Sequence, residues 1–172
     1  MLLAAGKPRR FTGVEEFAEQ VGHPLGHSAW HTVDQALIDR FADVTADRQW
    51  IHVDAELAAG GPYGQRVAHG FLTLSLFPML LAEVFQIDGI ELMINKCVDR
   101  VRFHSPVPAG DRVRAVVALM AARPRPKGFW EASLTVTVEH AGGDAPVCVA
   151  EIVVLLAGGT SKKIDTLGQR EL

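Results

Sequence analysis

Cysteine is scarce: only Cys97 and Cys148 occur, far apart and outside any CxxC spacing. That excludes a disulfide framework or a zinc ribbon and reads as two reduced cysteines in strands of a cytosolic protein. Charge of one sign is also scarce. A formal net charge of -3 gives no electrostatic case for binding nucleic acid or anionic membrane. The longest apolar run, residues 70–86, falls short of the roughly 20 residues of a membrane span. It is also interrupted by Thr73, Ser75, Pro78, Glu83 and Gln86. The first ten residues put their charges after a very short apolar run, the reverse of a secretory signal. No internal repeat or low-complexity segment is present. These absences predict a soluble, cytoplasmic protein. The hydrophobic share of 48% and the length of 172 residues suit one globular domain.

What is there begins with helix signals. Thr12-Gly-Val-Glu15 reads as a capping box ahead of a short helix through Phe17 and Val21 that ends near Gly22. Thr32-Val-Asp-Gln35 repeats the device before Leu37, Ile38 and Phe41, which are spaced for one buried face. Asp54 reads as the N-cap of a single turn through Leu57, terminated by Gly60 and Gly61. Residues 71–85 are apolar nearly all round, which predicts an enclosed helix, kinked where Pro78 lacks its N–H.

After Gly89 the period changes to two. Val113, Ala115, Val117, Leu119 and Ala121 form one alternating set, and Trp130 through Glu139 another. Residues 147–156 are almost continuously apolar, as expected of a central strand covered on both faces. Residues 92–103 form a fourth, less regular strand with room for a bulge, and Pro- and Gly-containing turns separate the four. Helices followed by consecutive strands predict an α+β domain, with an antiparallel sheet wrapped about the apolar helix. The domain is expected over residues 1–156 and a loose tail over 157–172.

Asp47 and His52 are five residues apart. On a helix that spacing points them about 140° apart, and on a strand to opposite faces. They converge only across an irregular connection, which the end of the helical pattern near Thr45 and the new turn at Asp54 allow. His69-Gly70 follows, immediately before the apolar helix. A helix N-terminus offers free N–H groups and partial positive charge, and glycine lets a ligand carbonyl approach closely. An acid, an imidazole and an anion-stabilising helix end are the equipment for adding water to an activated double bond or removing it.

Other candidates are weaker. His23, His27 and His31 recur every four residues, but Pro24 and Gly26 interrupt the helix a metal stripe would need, so no metal site is expected. His104 and His140 read as surface residues of strands, and Glu83 as a partly exposed residue near the end of its helix.

Phe41-Ala-Asp-Val-Thr-Ala-Asp47-x-x-Trp-Ile-His52-x-Asp54, then Ala68-His69-Gly70-Phe71, then Val101-x-Phe103-x-x-Pro106-Val-x-x-Gly110-Asp111, resembles the MaoC-like, (R)-specific enoyl-CoA hydratase family. The likeness is greatest to the NodN-like members carrying Trp-Ile-His, and it covers roughly residues 11–156. It implies a hot dog fold acting as a homodimer on an acyl-CoA thioester, with no cofactor beyond the CoA of the substrate. By the same likeness Asp47 and His52 are the catalytic dyad and the Gly70 N–H binds the thioester oxygen. Asp47 is then the base for water and His52 the donor to carbon. His69, Phe71, Tyr63 and Asn95 are candidates for substrate contact, and Lys96, Arg100, Arg102, Arg66 and Arg123 for the CoA phosphates. The chain departs from the commoner family spelling at Gln49-Trp50, and it has Pro78 where some members place a supporting serine. A thioesterase and a non-catalytic acyl-CoA-binding protein are the competing readings.

Overall fold

A computed structural model describes residues 7–158. Strand β1 (Arg9–Phe11) leads into the short helix α1 (Val14–Ala18), then β2 (Pro24–His27) and β3 (His31–Thr32). Four helices follow before the apolar segment ends: α2 (Gln35–Thr45), α3 (Trp50–Val53), α4 (Ala55–Ala59) and α5 (Gly70–Ser75). Helix α6 (Phe77–Val84) continues from α5 and passes into β4 (Phe85–Ile87). The long strands are β5 (Ile90–Phe103), β6 (Arg112–Pro124), β7 (Phe129–His140) and β8 (Cys148–Gly158).

The main sheet runs β2-β6-β7-β8-β5 with β3 also on β6, all pairs antiparallel; β1 and β4 form a separate parallel pair. The predicted alternation sets its register, with Val117 opposite Val136 and Leu134 opposite Ile152. One face is fully buried through Val113, Val117, Leu119, Leu134, Val136 and Val154. That face packs in one core with Phe77, Leu80, Leu81 and Val84 of α6 and Phe17 of α1. Each such side chain contributes about 1.5–3 kcal/mol by leaving water. The sheet half-wraps a helix, which is the hot dog arrangement.

The apolar helix divides at Leu76, which keeps right-handed helical dihedrals. Pro78 cannot donate to the carbonyl of Leu74, so the break falls where the proline predicted a kink. The helix is not enclosed on all sides, however. Phe71, Ser75, Pro78, Met79 and Ala82 are exposed along one stripe. Strand β8 likewise alternates, with one face buried and the other half-exposed, so it is interior by pairing but not covered on both faces.

Capping differs from expectation at two helices. The carboxylate of Glu16, not Glu15, accepts from both the N–H and the hydroxyl of Thr12, at 2.7 and 2.6 Å. Asp34, not Thr32, caps α2 by accepting from the Leu37 N–H at 2.8 Å, because Thr32 is committed to β3. Asp54 caps α4 as expected, accepting from Glu56 and Leu57 at 3.0 Å. Strand β2 has no sequence signal: its four residues include a proline and a glycine. Strand β5 is bulged as expected, with register shifts between Ile90 and Leu92, Asn95 and Cys97, and Asp99 and Arg102. The last strand extends through Gly158, two residues into the predicted tail; the remainder of that tail lies outside the described residues. Among the described residues no helix is long and apolar enough to cross a membrane.

Candidate active site

Helix α2 ends at Thr45, and Ala46 turns the chain with a left-handed φ of 60°. The Thr45 hydroxyl donates to the carbonyl of Phe41 at 2.7 Å, closing off the last helical turn. Asp47 therefore leaves the helix on an irregular connection, and α3 begins three residues later. This single turn presents His52 back towards Asp47. The carbonyl of His52 accepts from the Gln35 amide at 2.9 Å, which ties the turn to the start of α2.

The ring of His52 is buried and its Nδ1 lies 2.7 Å from the carbonyl oxygen of Val67. A carbonyl only accepts, so Nδ1 carries the hydrogen and a neutral ring has its lone pair on Nε2. Burial pushes the His52 pKa below its ordinary value. The Val67 hydrogen bond and the Asp47 charge oppose that shift, while His69 adds to it.

His69, 2% exposed, completes the group. Its Nε2 is 2.9 Å from the main-chain oxygen of Asp47, and its ring stacks on His52 with centroids 3.7 Å apart and planes inclined by 27°. Phe41 packs on its flank, 5.1 Å between ring centroids. One nitrogen or carboxylate oxygen from each of Asp47, His52 and His69 lies within 4.8 Å of the others. The trio does not suit a metal ion. Two imidazole planes so nearly parallel converge too slowly for one ion at about 2.1 Å to lie on both in-plane lone pairs. A water molecule, which hydrogen-bonds at about 2.8 Å with looser angular demands, suits the space better.

Gly70 opens α5, with His69 in the N-cap position and no side chain bonded to the first amides. A Cβ at Gly70 would lie 3.1 to 3.2 Å from three ring carbons of Phe103, so a larger residue there needs the ring or the helix start to give by a few tenths of an ångström. Asp47, His52, Tyr63, His69, Gly70 and Phe71 all line one cavity of about 540 Å³. Asn95 does not reach it; this exposed residue of β5 lines a separate cavity of about 330 Å³ with Ser75 and Pro78.

Of the basic candidates, Lys96 is bound to Glu131 at 2.5 Å and Arg100 to Glu151 at 2.9 Å. The guanidinium of Arg102 donates to the Val101 carbonyl at 3.0 Å.

Sequence reasoning missed Gln35, Phe103 and His104 as parts of the site. Gln35 resembles a cap, while Phe103 and His104, both on the cavity wall, end a strand whose bulge hides which way they face. His140 is not a surface residue: its Nδ1 bonds the Asp111 carboxylate at 2.6 Å. Glu83 bonds Nε2 of His31 at 2.9 Å and accepts from the Ala29 N–H at 3.0 Å, well away from the cavity.

Comparison with known proteins identifies the family. A family model described as a MaoC-like domain matches residues 16–141. The chain is 44% identical over 146 residues to 3-hydroxyacyl-thioester dehydratase Z of Mycobacterium tuberculosis (strain ATCC 25618 / H37Rv), covering 85% of this chain and 97% of the relative. It is 41% identical over 139 residues to nodulation protein N of Rhizobium leguminosarum bv. viciae, covering 80% and 86%. Among solved structures, the (R)-hydratase from A. caviae involved in PHA biosynthesis superposes with a TM-score of 0.62 at 30% identity, covering 75% of this chain and 93% of that one. A buried imidazole and a carboxylate brought together at the mouth of a sheet-wrapped helix, with these likenesses over most of its length, place the chain in the MaoC-like dehydratase family.

Proposed function

We propose that the protein adds water to trans-2-enoyl-CoA to give (R)-3-hydroxyacyl-CoA, and catalyses the reverse dehydration. The observation that carries this reading is the facing of Asp47 and His52 across one cavity that also reaches the first amide of α5. A water held between the two side chains would sit beside a thioester whose oxygen meets the Gly70 N–H. As the water oxygen bonds to the β-carbon, electron density moves through the α-carbon onto that thioester oxygen. Donors already aimed at the growing charge are worth several kcal/mol in such a step.

The tautomer of His52 bears on the proton traffic. With Nδ1–H committed to Val67, neutral His52 takes a proton at Nε2 before it gives one. In this reading His52 accepts a proton from the water while Asp47 orients that water and stabilises the imidazolium. A proton from the pair then reaches the α-carbon, the double bond is consumed, and both side chains end as they began. This reverses the sequence-based division, in which Asp47 is the base. The reaction needs no cofactor besides the CoA of its substrate. Tyr63 and Phe71, on the cavity wall, are the candidates for substrate contact.

The active unit is a homodimer in this proposal. Strand β5 ends the sheet, and Leu92, Met93, Val98 and Phe103 are exposed along it. Phe71 and Met79 on the helix stripe extend the same apolar character. A surface of that kind on an edge strand is suited to a second copy.

Crotonyl-CoA is the test substrate. Hydration removes the conjugated absorbance without releasing free thiol and yields the (R) product, and Asp47→Asn lowers the rate by about 10²–10⁴-fold. Thiol release would point to a thioesterase, and an Asp47→Asn variant as active as the parent would end the proposal.

A further inference from the structure

Of the three histidines that line the cavity, His52, His69 and His104, His69 is the one whose ring is engaged with the protein on several sides. Its N–H is committed to the backbone of one member of the dyad, its face to the ring of the other, and its flank to Phe41. Since the Asp47 main-chain oxygen can only accept, His69 carries its hydrogen on Nε2 and a lone pair on Nδ1. Among the described residues nothing reaches that buried Nδ1. That nitrogen is a buried polar atom with no protein group on it, so the ring is held by its other contacts.

Resting on the hydratase reading above, we propose that His69 is a positioning residue, a bracket that sets the spacing between the Asp47 carboxylate and the His52 ring. The connection that carries Asp47 leaves α2 through the left-handed Ala46 and has little regular hydrogen bonding of its own. The bond from His69 fixes the Asp47 peptide directly, at 2.9 Å. The stack closes one face of His52, so that ring can neither tilt nor take another rotamer in that direction. His69 follows Ala68, whose N–H donates to the Val107 carbonyl at 2.8 Å, and it occupies the position just before the first residue of α5. The bracket is thereby anchored on the element that supplies the Gly70 amide. Acid, imidazole and amide are referred to one another through a single side chain.

The test separates positioning from substrate contact. With crotonyl-CoA, His69→Ala lowers kcat by about 10–100-fold, the cost of a misplaced reacting group, and leaves KM within about twofold. His69→Phe keeps an aromatic face for His52, and His69→Gln keeps an N–H for the Asp47 carbonyl; each recovers part of the loss. A KM that rises while kcat holds would show contact with substrate, and unchanged kcat in all three would show no role; either result overturns the proposal. Nitrogen-15 spectra of the imidazole rings in the free protein give a readout independent of turnover. They show His52 protonated at Nδ1 and His69 at Nε2, with the His52 signals broadened or split once the bracket is removed. His52 signals that stay sharp and unshifted in His69→Ala and His69→Gln would overturn the bracket. Absence of hydration by the parent protein would instead overturn the assigned reaction, with the ring spectra still judging the bracket.

Discussion

Phe103 lies so close over Gly70 that a methyl group on Gly70 would meet three of its ring carbons at 3.1 to 3.2 Å. Phe103 in turn meets Phe71 edge to face, 6.2 Å between centroids. A bulge with Arg100 at a φ of 49° interrupts the pairing of β5 shortly before Phe103. Phe103 therefore packs on both of the first two residues of α5, Gly70 and Phe71.

Gly70→Ala is consequently expected to displace either the helix start or the Phe103 ring by a few tenths of an ångström. Hydration of crotonyl-CoA should fall by about 10–100-fold, as expected when a positioned donor moves. Phe103→Leu introduced together with Gly70→Ala should recover much of that loss by giving the methyl group room. The comparison is a double-mutant cycle on kcat/KM. Additive losses from the two changes would mean that the two residues do not act through their contact.

Burial of His52 sets the pH behaviour. Its folded-state pKa lies below the ordinary value of about 6.5, so the neutral ring persists as pH falls through that value. The acidic limb of kcat/KM should therefore appear below about pH 6.5. Stability carries the same sign. Below about pH 6.5 the unfolded chain takes up a proton that the folded His52 refuses, and the stabilising contribution is lost as pH falls further towards the folded pKa. A limb centred above about pH 6.5, abolished in His52→Gln, would contradict this assignment.

The parts of the fold that sequence made visible are those where a period and a burial pattern coincide. Alternation specifies β6 and β7 because Val113, Ala115, Val117 and Leu119 on one and Ala132, Leu134, Val136 and Val138 on the other are fully buried; it fails at the ends, where Ala121 and Trp130 are only half-buried. Asp54 is legible as a cap since its carboxylate acts on amides two and three residues away. Asp47 and His52 are legible as a pair because no regular backbone could bring them together. Partners set by distant packing are not legible. Gln35 finds the His52 carbonyl seventeen residues on, and Val67 lends its oxygen only because β-bridge pairing with Pro108 holds it in place. The continuous apolar run of β8 misled because Val149, Val153 and Leu155 on its second face are half-exposed among the described residues.

Glu131 joins the outer face of the sheet to a hairpin. It accepts from Lys96 and Arg125, both at 2.5 Å, and is 5% exposed itself. Hydrogen bonds from those two cations hold its pKa down at about 2, against the ordinary value of 4.5. A depressed carboxylate contributes stability that is present above about pH 4.5 and lost as pH falls towards about 2. Both cations are about half exposed, so the contribution is discounted for solvent screening to about 1 kcal/mol. Glu131→Gln should lower the urea midpoint at pH 7, and the gap from the parent should close as the pH approaches 2. An undiminished gap at that pH would show that packing of the side chain, not its charge, is what matters.

The last expectation concerns assembly. Edge strand β5 carries Met93 at 42% exposure, and the helix stripe carries Met79 at 41%. Both side chains stay exposed among the described residues, and strand edges left open pair readily with another strand. Light scattering at micromolar concentration should give twice the mass of the 18.6 kDa chain. Met93→Lys should shift the protein towards monomer, because a buried ammonium without a partner costs far more than the methionine contributes. Met79→Lys tests the helix side of the same surface in the same way. If the two faces form one interface, either variant lowers the mass and the apparent thermal stability becomes dependent on concentration. A parent protein that scatters as a monomer at every concentration would sink the homodimer, and the edge of β5 would then need another explanation for its apolar side chains.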